Sequence, residues 1–170
     1  MSCSNAILVL FSERDGCWKL ADFGSAAEAT SKSLHTTRDR RGTASYRAPE
    51  VLDDFNASYN NKADIFALGC ILYEITTGQK LFKSDWAVRE YSLKENIASP
   101  LLWPESPSGT RLWSLGKLDV WMLEVQPVNR PRAKDVQTSM HSIRLSTSNE
   151  SDAWTYRDRR VLSLGCLNLH

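Results

Sequence analysis

Between Asp22 and Glu50 the chain concentrates residue types that handle phosphate. Four hydroxyls, Ser31, Ser33, Thr36 and Thr37, stand just ahead of Arg38, Arg40 and Arg41. A phosphate on one of these hydroxyls would offer acceptor oxygens to the neighbouring guanidiniums, and the charge-assisted hydrogen bonds would order the segment. The same run also reads as a solvated charge cluster. Its richness in Ser, Thr and Ala, without apolar periodicity, is that of a surface loop. The segment opens on Asp22-Phe23-Gly24 and closes on Gly42-Thr43-Ala44-Ser45-Tyr46-Arg47-Ala48-Pro49-Glu50. Asp-Phe-Gly alone recurs by chance; its pairing with a downstream Ala-Pro-Glu carries the information.

Elements on both sides must hold this segment. Ala6 to Phe11 and Cys17 to Ala21 are short apolar runs separated by a turn containing Asp15-Gly16, which predicts a β-hairpin that delivers the chain to Asp22. Downstream, Lys62 to Thr77 has ten apolar residues in sixteen, with only Lys62, Asp64 and Glu74 charged. Apolar side chains on nearly every face predict a helix buried in a core, and Gly78 is its stop signal. Ser84-Asp85 predicts the start of a helix running through about Ala98, ahead of Pro100 and Pro104. Leu115, Leu118, Met122 and Val125 predict another over Leu112 to Val125, weakened by about 1 kcal/mol at Gly116. Pro131 is the expected start of the last, with Ala133, Val136, Met140 and Ile143 on one face.

The two end markers and the buried helix make the chain resemble a protein kinase, with Asp22 to Glu50 as its activation segment. The resemblance implies a mainly α fold: the large C-terminal lobe of a kinase with a short β-hairpin, the small lobe being absent. It covers residues 1–145, a partial kinase domain made of the end of the catalytic loop, the activation segment and the large-lobe helices. Residues 146–170 begin with Ser, Thr, Asn and acidic residues and read as a disordered or irregular tail.

Site residues follow from the resemblance. Asp22, and Asn5 in the place of the Asn that ends the catalytic loop, are implied as the ligands of Mg²⁺ and through it of ATP. A hard cation bridging phosphates takes oxygen donors of this kind. Phe23 is implied to pack and Gly24 to permit the turn. Gly42 and Thr43 resemble the loop that receives the peptide substrate, and the lack of the Trp-containing tyrosine-kinase sequence implies Ser or Thr as the acceptor. Asp39 lies close to the usual place of an activating phosphothreonine, which its carboxylate would partly replace. Glu50 has its family partner in Arg130, an ion pair that would tie the loop to the helical core. Asp64, in Asp64-Ile65-Phe66-Ala67-Leu68-Gly69, matches the family's Asp-x-Trp-x-x-Gly and would brace the catalytic loop's backbone. As a first-turn carboxylate it also suits the helix dipole.

The chain departs from the family pattern as well. Counting back five positions from Asn5 falls before Met1, so the catalytic Asp is expected to be absent, and Ser2 stands where Ser/Thr kinases usually have Lys. No Gly-rich loop or phosphate-pairing strand Lys is visible. One reading is a serine/threonine protein kinase that transfers the ATP γ-phosphate to protein Ser or Thr, of which this truncated chain is inactive alone. The other is a noncatalytic, pseudokinase-like module that binds a kinase or substrate. Expected partners are a protein substrate or regulatory protein, and apolar surface bared by the missing lobe predicts an obligate partner.

Composition narrows the alternatives. With 42% hydrophobic and 24% charged residues in 170, and a formal net charge of +1, the chain is ordinary for a globular domain and has no electrostatic pull towards nucleic acid or membrane. Cys3, Cys17, Cys70 and Cys166 are scattered, which reads as free thiols in a reducing compartment, the cytoplasm or nucleus. Ala6 to Phe11 is too short for a signal-peptide core, and no apolar run approaches the roughly 18 residues of a membrane span.

Overall fold

The computed structural model describes residues 2–3, 8–21, 27–28, 35–36, 42–53, 58–93 and 111–145. The predicted hairpin is present. β2 (Leu8–Ser12) pairs antiparallel with β3 (Cys17–Ala21), from Leu8 opposite Ala21 to Ser12 opposite Cys17, after the short β1 (Ser2–Cys3). Its turn is held from within: Asp15 accepts from Ser12 Oγ at 2.8 Å and from the Lys19 ammonium, whose hydrogen bond keeps the Asp15 carboxyl below its usual range. Gly16 takes φ +61°, the left-handed conformation that glycine adopts without strain. Two further ladders were not expected from the sequence. β4 (Ala27–Glu28) pairs with β1, and β5 (His35–Thr36) pairs with β6 (Ser58–Tyr59), so the stretch around His35 is joined to the chain just ahead of the first helix.

Helix α1 (Lys62–Thr77) has the predicted limits. Asn60 helps start it, its Oδ1 accepting the Lys62 N–H at 2.9 Å, and Gly78 ends it at φ +76° with its N–H on the Glu74 carbonyl at 2.8 Å. The reason for its all-round apolar composition is that it separates two cores. Ala63, Phe66, Cys70 and Tyr73 face a cluster with Ala48, Val51, Leu52, Tyr59, Phe82, Val88 and Leu123. Ile65, Leu68 and Leu72 face the other, with Leu115, Leu118, Met122, Val136, Met140 and Ile143. Each set steps by three or four residues, so two stripes of one helix are buried on different partners. Trp18 packs on the second cluster and attaches the hairpin to the helices.

Helix α2 spans Asp85–Leu93 among the described residues; the expected continuation towards Ala98 lies outside them. Helix α3 (Arg111–Met122) stops short of the predicted Val125. Pro127 has no N–H for a further helical bond and pushes Gln126 to an extended φ −81°, ψ 120°, after which Pro127–Asn129 form a 3₁₀ turn. The freed carbonyls of Glu124 and Val125 go to Arg130 instead. Helix α4 (Ala133–Leu145) begins two residues after Pro131. Its start is fixed by Asp135, whose Oδ2 accepts the Arg132 N–H at 2.8 Å, the reciprocal half of a capping box. Val136, Met140 and Ile143 are buried on the predicted face. The architecture is mainly helical with one short antiparallel hairpin, as expected for a kinase-like large lobe.

At Gly69 α1 and α3 approach closely. A Cβ there would lie 3.0 Å from Leu123 Cγ and 3.2 Å from Met122 Cβ, both of buried residues. No helix among the described residues is long and apolar enough to cross a membrane.

Candidate functional site

The loop 42–50 is anchored at its C-terminal end, and Arg130 is the anchor. Its side chain is 0% exposed and its guanidinium sits 4.9 Å over the Phe66 ring. All five N–H donors are used. Nη1 reaches Glu50 Oε1 at 2.7 Å and the Lys62 carbonyl at 3.0 Å, and Nη2 reaches Glu50 Oε2 at 2.8 Å and the Val125 carbonyl at 2.9 Å. Nε reaches the Glu124 carbonyl at 2.6 Å. The bidentate fork joins residues eighty positions apart. Lys62 interlocks with it by donating its ammonium to the Arg130 carbonyl, and burial pushes the Lys62 pKa below its ordinary value.

Glu50 is in place because Pro49–Leu52 form a 3₁₀ turn, with Pro49 at its start and Ala48, Val51 and Leu52 buried beneath it. Arg89 of α2 donates to the Leu52 carbonyl at the far end of the turn.

Ahead of the anchor the chain makes a compact loop. Gly42 has φ +88°, Thr43 is exposed, and the Tyr46 N–H closes a turn on the Thr43 carbonyl at 3.2 Å with Ser45 at φ +76°. Tyr46 donates its hydroxyl to Glu74; burial first, and then this bond, raise the phenol pKa far above its usual value, while Lys80 Nζ lies 5.2 Å from the ring centroid. Ser45 and Arg47 both bond to Asp85 at the start of α2. Sequence reading missed Tyr46, Arg47, Glu74 and Asp85 as parts of this site. A carboxylate in the otherwise uncharged second half of α1 was the available signal for Glu74; nothing local flagged the link from Ser45 to Asp85.

Asp64 lies in the first turn of α1, half-buried. The catalytic-loop backbone it would brace is outside the described residues, as are Asn5, Asp22, Phe23, Gly24, Ser31, Ser33, Thr37 and Asp39. Thr36 is described only as a backbone position of β5. No group of three or more His, Cys, Asp or Glu that could hold a metal occurs among the described residues. The implied metal ligands Asp22 and Asn5 supply a carboxylate and an amide oxygen, a donor set whose chemistry fits Mg²⁺.

The helices pack around two cores, and the loop is pinned at Ala-Pro-Glu by a distant buried Arg, the partner that the kinase resemblance implied for Glu50. The description "Protein kinase domain" matches residues 5–142, and the chain belongs to the protein kinase family. Curated relatives agree. A probable serine/threonine-protein kinase of Dictyostelium discoideum is 32% identical over 145 residues, 80% of this chain and 12% of that protein. Serine/threonine-protein kinase chk-2 of Caenorhabditis elegans is 32% identical over 71% of this chain and 24% of its own length. Serine/threonine-protein kinase Nek3 of Oryza sativa subsp. japonica is 34% identical over 83% of this chain and 22% of its own. The chain thus spans a quarter or less of these relatives.

Proposed function

We propose that the chain is the large-lobe part of a serine/threonine protein kinase that transfers the γ-phosphate of ATP to Ser or Thr of a protein substrate. The observation that carries this reading is the Glu50–Arg130 fork at 2.7 and 2.8 Å, which holds the loop Gly42 to Arg47 against the helical lobe where a peptide would lie. The serine/threonine kinases among its relatives support the same acceptor. In this reading Gly42 and Thr43 face the peptide, and Asp22 with Asn5 holds the Mg²⁺ of ATP, which supplies charge neutralisation at the phosphates. Phosphate on Ser33, Thr36 or Thr37 orders the loop through Arg38, Arg40 and Arg41. The protein works in the cytoplasm or nucleus, where its thiols stay reduced.

The 170 residues do not turn over alone, because nothing among them corresponds to the catalytic Asp, the Gly-rich loop or the phosphate-pairing Lys. Sequencing the native transcript upstream of Met1 tests the reading. It predicts in-frame codons for His-Arg-Asp just before Met1, with a Gly-rich loop and a Lys farther upstream. An in-frame stop codon there would contradict it and leave a noncatalytic binding module.

A further inference from the structure

Asp85 stands in the first turn of α2, where a carboxylate commonly serves its own helix. Here the cap comes from Ser84, whose Oγ accepts the Ala87 N–H at 3.3 Å. Both Asp85 oxygens are turned to the loop instead. Oδ1 accepts the Ser45 N–H at 2.9 Å, and Oδ2 accepts from Arg47 Nη1 at 2.6 Å. The pair is partly shielded, with side chains 18% exposed at Arg47 and 17% at Asp85.

Ser45 is the residue that needs holding. Its φ of +76° lies in the left-handed region, which a residue with a Cβ enters only when its surroundings impose it. Ser45 is also buried, so an unmet N–H there would be costly. One carboxylate supplies the missing acceptor and, through Arg47, fixes the residue two positions on.

We infer that Asp85 is a positioning residue for the peptide-receiving loop: by bridging the Ser45 amide and the Arg47 guanidinium it holds Ser45 left-handed and sets the surface that Thr43 and Ala44 present to a peptide. Because Asp85 belongs to α2, a displacement of α2 is transmitted to the loop. The bridge stands on the geometry; its consequence for a substrate rests on the kinase reading above.

Amide hydrogen exchange on the chain tests the bridge. Loss of a hydrogen bond to a charged group should speed exchange at Ser45 to Arg47 by roughly tenfold to a hundredfold in Asp85→Ala, with α1 and α4 amides unchanged. Asp85→Asn keeps the shape and an acceptor for Ser45, and should give a smaller acceleration in a protein that folds. Unchanged loop exchange in folded Asp85→Ala, or equal acceleration throughout α1 and α4, would overturn the inference. In the full-length protein, with ATP–Mg²⁺ and a degenerate Ser/Thr peptide library, Asp85→Asn should raise KM for peptide and leave KM for ATP unchanged. A fall in kcat with both KM values unchanged would also overturn it. If the unsubstituted full-length protein phosphorylates no peptide, the kinase reading fails, while the exchange result still decides the role of Asp85 in the loop.

Discussion

Replacing Arg130 by Ala removes five hydrogen bonds at once and should bring the lobe to the edge of unfolding. The Glu50 carboxylate, 14% exposed, loses its only described ion-pair partner, and stranding a buried charge costs about 3–5 kcal/mol. The carbonyls of Lys62, Glu124 and Val125 each lose a donor, and each would cost about 1–3 kcal/mol if water could not follow. These losses are not additive, and water reaching Glu50 relieves part of them. A net loss of about 5 kcal/mol is therefore expected, against the 5–15 kcal/mol that holds a typical domain together. Urea unfolding followed by circular dichroism measures it, with Arg130→Lys and Glu50→Gln as partners that remain folded. Lysine offers three donors from a point charge in place of a planar fork and should cost about 2–3 kcal/mol. Glutamine leaves the Arg130 charge buried without its counter-ion but keeps one acceptor, and should cost about 3 kcal/mol, the lower end for a stranded buried charge. An Arg130→Ala protein with an unchanged urea slope and a loss below about 1 kcal/mol would refute the reasoning, because the guanidinium would then be dispensable to the carbonyls it bridges.

Other consequences follow from packing and ionisation. Gly69→Ala gains about 1 kcal/mol of helix propensity, but its Cβ meets fully buried Leu123 at 3.0 Å; overpacking of about 1–3 kcal/mol should win, and a raised urea midpoint would show that α3 yields. Tyr91 donates to the Leu123 carbonyl at 2.8 Å, and burial pushes its phenol up to about 12 from 10.0. A raised folded-state pKa gives stability that is complete below pH 10 and lost as pH climbs through about 12. Tyr91→Phe should therefore flatten the fall in unfolding free energy between pH 9 and 11, roughly the start of that window, and an unchanged slope in urea titrations would contradict the assignment.

The parts of the fold legible in the sequence were those fixed by local chemistry. Lys62–Thr77 was bounded correctly because its apolar run ends at a glycine that takes the left-handed cap. The hairpin was legible from two apolar runs and Asp15-Gly16. The end of α3 was misjudged by three residues because helical spacing at Val125 outweighed the missing N–H of Pro127 and its constraint on Gln126. The start of α4 was misjudged by two, since the reciprocal bond from Asp135 sets it and not Pro131. Glu50 and Arg130 could be paired only through the family resemblance, since nothing in composition or spacing links residues eighty apart. Ser45 and Asp85 are forty apart and had no such guide. Tyr46 and Glu74 were hidden for a related reason: a tyrosine and a glutamate in separate segments gain meaning only when the loop folds back over α1.

The most direct test of the account is phosphoamino-acid analysis of a degenerate Ser/Thr/Tyr peptide library incubated with γ-labelled ATP, Mg²⁺ and the full-length protein. Label on phosphoserine and phosphothreonine, lost when Glu50→Gln loosens the receiving loop, is the predicted result. Label confined to phosphotyrosine, or no label from a folded protein that binds ATP, would contradict it.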